Sequence, residues 1–256
     1  MINVIHYTLI PFKIILFVIL IILGIFILKH TKGDSNITTL IIVFYKFVVH
    51  YLMSYNIEIS DEDYNKYMKY LYSDEKFLCV FNHVSTLDGL VLLSIFPKLG
   101  FVLNRFEEYK YINFDDIANE KIGGIFVNTS EKNNTTCKIE KKVNERKNGD
   151  NILFISPSAN KLPDELESIA YFEKNGAFIK KPNILPILIK FQDNSLYFYN
   201  GSNIYNRIEN FIKIFLPENY KIKIKVGDII NAYENESFEE YKNRVYKIMN
   251  KHYKEM

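Results

Sequence analysis

A histidine and an aspartate, His83 and Asp88, lie five residues apart and are of types that can do proton-transfer chemistry together. An imidazole changes charge near neutral pH, so it can take a proton from a hydroxyl group. A carboxylate on the other ring nitrogen fixes the tautomer and stabilises the imidazolium that forms. Asn82 precedes the histidine and Ser85 lies between the two. This spacing predicts a general base with an orienting partner.

Two elements must position this pair. The apolar run 77–81 predicts a buried strand that ends just before the histidine. Residues 87–96 predict a helix that stops at a proline. Asp88 would then lie in the first helical turn, where the chain folds back towards His83.

A structural role for the aspartate stays open beside the catalytic one. Ser85 and Asp88 have the three-residue spacing of a capping box, with Ser85 as the helix N-cap. A carboxylate in the first turn also offsets the helix dipole. The two roles are compatible, because a capped helix start could aim Asp88 at His83.

Predicted strands and helices alternate along the rest of the chain after residue 57. Short apolar runs predict buried strands, and an apolar–lysine alternation predicts a half-exposed one. Such alternation is typical of an α/β fold. The further strands are 152–155, 184–191 and 222–226. The further helices are 61–72 and 238–253, and 131–150 is predicted to be a surface helix with loops.

Composition narrows the functional classes. The chain has 256 residues and 48% hydrophobic residues, enough for one catalytic domain and an extra segment. A net charge of +2 argues against a dedicated nucleic-acid binder. Two cysteines, Cys79 and Cys137, provide neither a disulfide framework nor a metal cluster, so no metal site is expected.

The most apolar segment, residues 9–28, is long enough to span a bilayer core. A cleaved signal peptide is the competing interpretation, but the run is long and lacks a small-residue cleavage site. Lys29 and Lys32 follow the segment, so a single-pass anchor would leave the rest of the chain in the cytosol. The expected membrane is the endoplasmic reticulum or its equivalent.

A second apolar stretch, residues 37–53, places Thr39, Lys46 and His50 on one helical face. This pattern predicts an amphipathic helix that lies in the membrane interface. A core helix of the soluble domain is the alternative. The predicted domains are a membrane anchor, 1–57, and a catalytic domain, 58–256.

The run from Asn82 to Asp88 resembles the first signature of the 1-acylglycerol-3-phosphate acyltransferase family, a His-x4-Asp core commonly preceded by Asn. Later segments resemble other family runs in the same order. The resemblance covers roughly residues 55–253. It implies a mixed sheet flanked by helices, as in glycerolphosphate acyltransferases. These later segments are 101–105, 124–128, 175–178 and 184–189.

The resemblance also implies an activity. The enzyme would transfer a fatty acyl chain from acyl-CoA to a hydroxyl of a lysophospholipid, with membrane lipids as partners and no cofactor. His83 and Asp88 would be catalytic. The residues implied in substrate binding are Asn82, Ser85, Arg105, Asn128, Ser158 and Lys161.

Two departures from the family pattern affect the acceptor side. Thr129 stands where the second signature usually ends in arginine, which removes a possible bidentate phosphate clamp. In the third signature, Phe-Pro-Glu-Gly-Thr-Arg, aligning the prolines puts Ser158 at the glutamate and Lys161 at the arginine. Lys161 could still supply a point charge.

Two other functions stay open. A degenerate relative that binds lipid or a protein partner without catalysis would explain the altered third signature. An ester or thioester hydrolase is the third possibility, but the chain has no Gly-x-Ser-x-Gly nucleophile elbow.

Overall fold

A computed structural model describes residues 8–30, 35–85, 87–104, 123–127, 132–158, 167–192, 212, 215 and 221–256. The helices are α1 (Ile10–His30), α2 (Ser35–Lys46), α3 (Asp61–Leu71), α4 (Asp88–Leu93), α5 (Lys132–Glu145) and α6 (Phe238–Lys254), with a π-helical turn (Phe47–Leu52) after α2. The strands are β1 (Asn56–Ile59), β2 (Leu78–Phe81), β3 (Leu99–Asn104), β4 (Ile125–Val127), β5 (Ile152–Ile155), β6 (Ile184–Phe191) and β7 (Lys221–Val226).

These strands form one sheet in the order β1-β7-β6-β2-β5-β3-β4. β2 is parallel to β5 and β6, and β3 is parallel to β4 and β5. Two hydrogen bonds show that β7 is antiparallel to β6. The Gln192 N–H donates to the Lys221 carbonyl, and the Gly227 N–H donates to the Pro186 carbonyl. The sheet is therefore mixed, which confirms the predicted α/β class.

The chain divides into two compact units. Unit 1 comprises Met1–Glu58, Val84–Pro97 and Lys190–Lys223; unit 2 comprises Ile59–His83, Lys98–Ile189 and Ile224–Met256. The division into an anchor, 1–57, and a catalytic domain, 58–256, stays a prediction.

Apolar side chains of β2, β5 and β6 build the core of unit 2 together with α5 and α6. All residues of β2 and β5 are buried, as expected of parallel strands covered on both faces. The strands predicted from apolar runs are thus confirmed, and the predicted helices are present with ends shifted by a few residues. The helix residues in this core are Ile139, Val143, Tyr241, Val245, Met249 and Tyr253.

Pro186 lies inside β6, where a proline needs a special position because it has no N–H to donate. Its carbonyl accepts from Gly227, the residue after the last residue of β7. The proline nitrogen faces the same side, beyond the end of that strand. A Cβ on Gly227 would lie 2.6 Å from Pro186 Cγ, so the close approach requires glycine.

In unit 1, α1 covers most of the segment predicted to span a membrane, residues 9–28. Several large apolar side chains are exposed along it, including Phe12 and Ile22. Within the described part of the chain, no helix has the length and apolar character needed to cross a bilayer. The predicted transmembrane helix is therefore not supported.

The predicted helix 37–53 is present as α2 and the π-helical turn that follows it. The turn buries Val48, Val49 and Leu52 on one side. On the other side Phe47 and Tyr51 are exposed and stack, with ring centroids 5.7 Å apart. The segment thus has an inward and an outward apolar side, and its place in a membrane interface stays a prediction.

Candidate active site

The carboxyl end of β2, in unit 2, carries Asn82 and His83. Asn82 is 1% exposed, and its side-chain amide makes two hydrogen bonds to the backbone of Ile189 on β6. Nδ2 donates to the Ile189 carbonyl and Oδ1 accepts from the Ile189 N–H, each at 2.8 Å. His83 is half-buried, and its ring lies edge-on to Phe81 with centroids 6.1 Å apart. Strand and amide together place the histidine at the sheet edge.

Asp88 is the first residue of α4, in unit 1, and it is completely buried. Its Oδ2 accepts the backbone N–H groups of Val84 and Ser85, at 2.7 and 3.0 Å. Hydrogen bonds from backbone N–H groups to a carboxylate are short and strong. The loop that follows His83 in the chain is thereby fastened to the aspartate.

The prediction that Ser85 is the helix N-cap is wrong. α4 begins at Asp88, and Leu87 occupies the N-cap position without a side-chain cap bond. Ser85 Oγ instead accepts the Leu87 N–H at 3.3 Å, inside the turn that precedes the helix. One half of the predicted capping box is present, because the Asp88 carboxylate reaches back to the Ser85 N–H.

The loop after β5, also in unit 2, carries the altered third signature. Ser156 and Ser158 pair through their hydroxyl groups at 3.1 Å, and Ser158 is 1% exposed. β5 is the parallel neighbour of β2, with Ile155 opposite Val80. Because parallel strands end at the same sheet edge, these serines leave the sheet on the side where His83 does.

The sequence profile of the Acyltransferase family matches residues 62–190, half of the chain, including both signature loops. The chain belongs to the Acyltransferase family. This match confirms that the chain is an acyltransferase, as the resemblance in its motifs implied.

The fold of this acyltransferase is similar to that of a solved enzyme. The crystal structure of the 1-acyl-sn-glycerophosphate (LPA) acyltransferase PlsC from Thermotoga maritima matches with a TM-score of 0.62 and 13% identity. The match covers 100% of this chain and 99% of the other. At this identity the likeness concerns the fold. No curated protein matches the acyltransferase in sequence.

Three of the predicted substrate-binding residues, Arg105, Asn128 and Lys161, lie outside the described residues, as does Thr129. They follow β3, β4 and β5 in the chain. Their roles stay predictions. In the part of the acyltransferase that the structure describes, no cluster of three or more His, Cys, Asp or Glu side chains could hold a metal ion.

Two participants escaped sequence reasoning. The Ile189 backbone, which binds Asn82, lies 107 residues away in the chain and carries no polar side chain. The Val84 N–H, which binds Asp88, belongs to a residue whose side chain gives no sign of such a role. A polar residue directly after a buried apolar strand was the one signal available, since buried amides must find partners.

Proposed function

We propose that this acyltransferase moves a fatty acyl chain from acyl-CoA to a free hydroxyl of a lysophospholipid such as 1-acylglycerol-3-phosphate. His83 takes the proton of the acceptor hydroxyl as its oxygen attacks the thioester carbonyl. The new ester C–O bond forms, the C–S bond breaks, and the coenzyme A thiolate leaves and takes up a proton. Asp88 orients the imidazole and stabilises its protonated form. No enzyme nucleophile is needed, because the thioester is already activated.

The observation that carries the proposal is the anchoring of Asp88. A completely buried carboxylate is costly unless it is well bonded. Here it accepts two backbone N–H groups from the residues that directly follow His83 in the sequence. This supports a fixed carboxylate as the orienting partner of the histidine. A cap alone would not need the Val84 N–H.

The acceptor is proposed from the fold and the family. The similar enzyme from Thermotoga maritima is an acyltransferase of 1-acyl-sn-glycerophosphate. Ser158 would contribute a hydroxyl to the acceptor pocket in place of the family's glutamate. Arg105, Asn128 and Lys161 would supply charge and hydrogen bonds to the acceptor's polar part.

Attachment to a membrane is part of the proposal, because the substrates are lipids. The exposed apolar side chains of α1 and of α2 with its π-helical turn, among them Phe12, Ile22 and Phe47, support such attachment. A catalytic domain on the cytosolic side of the endoplasmic reticulum or its equivalent belongs to the same proposal.

Replacing Phe12 and Ile22 together with serine tests the attachment, because each large apolar side chain contributes about 1.5–3 kcal/mol when fully buried. We expect partition of the double variant onto phospholipid vesicles, measured by flotation, to fall by a factor of about 100 or more relative to wild type. Tyr72→Ser, which removes an exposed aromatic residue next to α3, is the control. Equal flotation of all three proteins would contradict attachment through α1.

The transfer itself is tested with His83→Ala in purified, detergent-solubilised protein given labelled acyl-CoA and a panel of lysophospholipids. Removing a general base should lower incorporation by a factor of about 100 to 10,000. His252→Ala, on α6, is the matched histidine control and should keep wild-type activity. Unchanged incorporation by His83→Ala would contradict the mechanism in which His83 is the general base. The non-catalytic binding role would be favoured by two results together. Wild type would incorporate no labelled acyl chain, and both wild type and His83→Ala would rescue a loss phenotype in cells.

A further inference from the structure

At the end of β2, the Asn82 side chain makes hydrogen bonds to β6 that the backbone of a longer β2 would make. β2 pairs with β6 through Phe81, which lies opposite Ile187. Two residues further along β6, the Ile189 N–H and carbonyl face β2, since alternate residues of a strand face the same neighbour. The Asn82 side chain satisfies both groups at 2.8 Å.

An asparagine amide has an N–H donor and a carbonyl acceptor, as a peptide group does. It can therefore continue the hydrogen bonds between two strands past the point where the backbone of one strand turns away. In a parallel pair, these two groups of Ile189 would otherwise bond to the backbone on either side of the residue opposite them. Register places His83 opposite Ile189 if the strand were continued. Asn82 therefore completes the ladder at the point where the histidine begins the turn.

The orientation of the amide leaves little freedom. Asn82 and Ile189 are almost fully buried, and both amide atoms are committed to backbone groups with matching polarity. A flipped amide would oppose donor to donor and acceptor to acceptor. This geometry differs from the substrate-binding role that the family resemblance implied for Asn82, because at 1% exposure the second N–H and the second lone pair of the amide are closed to solvent.

We propose that Asn82 is a positioning residue, which fixes the backbone of His83 at the edge of the sheet by clamping Ile189, and that it makes no contact with substrate. The inference rests on the proposed function, in which His83 is the base. Displacing a catalytic group by about 1 Å can lower a rate about 100-fold. The clamp would thus act on kcat and leave substrate binding alone.

The test compares steady-state kinetics of Asn82→Ala and Asn82→Ser with wild type, using acyl-CoA and the best lysophospholipid acceptor. We expect kcat to fall about 10- to 100-fold in Asn82→Ala. We expect a smaller fall in Asn82→Ser, whose hydroxyl can bond to one of the two Ile189 groups. KM for both substrates should stay within about twofold of wild type. Asn82→Ser also keeps the test usable if Asn82→Ala does not fold.

Asn250→Ala is the matched control, because the Asn250 side chain accepts a backbone N–H, from Ile169, in the same unit. It should lower the melting temperature without changing kcat. A raised KM with unchanged kcat in the Asn82 variants would overturn the positioning role in favour of a substrate contact. An equal fall of kcat in Asn250→Ala would overturn it in favour of general destabilisation. Full activity of His83→Ala, measured in parallel, would overturn the proposed function and this inference together.

Discussion

The carboxyl ends of β2 and β5 hold their polar groups in different ways, although the two strands are parallel neighbours. At the end of β2, Asn82 is bonded to the backbone of the adjoining strand through two fixed contacts. At the end of β5, Ser156 and Ser158 are paired with each other through rotatable hydroxyl groups. One loop is fastened to the sheet through an amide side chain, whereas the serine side chains of the other pair with each other and its Pro157 carbonyl accepts the Lys174 N–H.

This difference separates the two halves of the reaction. The loop with His83 retains the whole first signature, and its backbone contacts suit the proposed role of holding a proton acceptor still. The loop with Ser158 has lost the family's glutamate and offers neutral hydroxyls to its surroundings. Under the proposed function, the acyl-transfer chemistry would be preserved, and the recognition of the acceptor is where this chain would depart from its family.

The largest effect that would sharpen the comparison is expected for Asp88→Asn. The amide keeps the shape and can still accept an N–H, but it loses the charge that stabilises an imidazolium. We expect kcat to fall about 100-fold or more, with KM nearly unchanged. The assay is labelled acyl transfer at saturating substrate.

Asp63→Asn is the control for that substitution, because the Asp63 carboxylate also accepts a backbone N–H, from Val226, at 3.0 Å. Its kcat should match wild type, and its melting temperature reports the cost of losing a bonded carboxylate. If Asp88→Asn kept at least half of the wild-type kcat, the aspartate would be a helix-start residue only, and the orienting role would be lost.

At the end of β5 we expect a smaller effect, on the KM for the lysophospholipid and not on kcat. Ser158→Ala removes the hydroxyl proposed to contact the acceptor, whereas Ser156→Ala removes only its partner. A neutral hydrogen bond contributes about 0.5–1.5 kcal/mol. We therefore expect KM for the lysophospholipid to rise about two- to tenfold in Ser158→Ala, with kcat and the KM for acyl-CoA unchanged.

Ser156→Ala should raise that KM less than Ser158→Ala does. Equal KM values in the two serine variants would show that the pair serves the loop and not the acceptor. If kcat fell as much in Ser158→Ala as in Asp88→Asn, the end of β5 would contribute to catalysis as the end of β2 does. The proposed division between catalysis and acceptor binding would then be wrong.

Local patterns in the sequence predicted much of the fold. The apolar runs at β2, β5 and β6 are buried strands, apart from the half-buried Lys190 of β6, and apolar content alone reveals them. β1, β3 and β4 escaped prediction. β1 and β4 have only four and three residues and are partly exposed, and β3 contains a glycine, which is disfavoured in strands. The order of strands and the antiparallel β7 depend on contacts between distant segments, which no local pattern encodes.

The candidate site divides in the same way. His83 and Asp88 could be proposed from the sequence because their spacing is short and their residue types suit proton transfer, and their catalytic roles stay predictions. The helix start was predicted at Ser85 from its residue type, but Ser85 Oγ bonds to the Leu87 N–H and α4 begins at Asp88. The clamp on Ile189 could not be predicted, since it joins residues 107 positions apart through a backbone group.

The most direct test of the central claim is chemical rescue of the base at position 83. In purified His83→Gly, acyl transfer from labelled acyl-CoA to 1-acylglycerol-3-phosphate is measured with increasing imidazole, beside wild type and His252→Gly. The account predicts that His83→Gly is inactive and that imidazole restores transfer in proportion to its concentration, while the other two proteins do not respond. Wild-type activity of His83→Gly without imidazole would contradict the account.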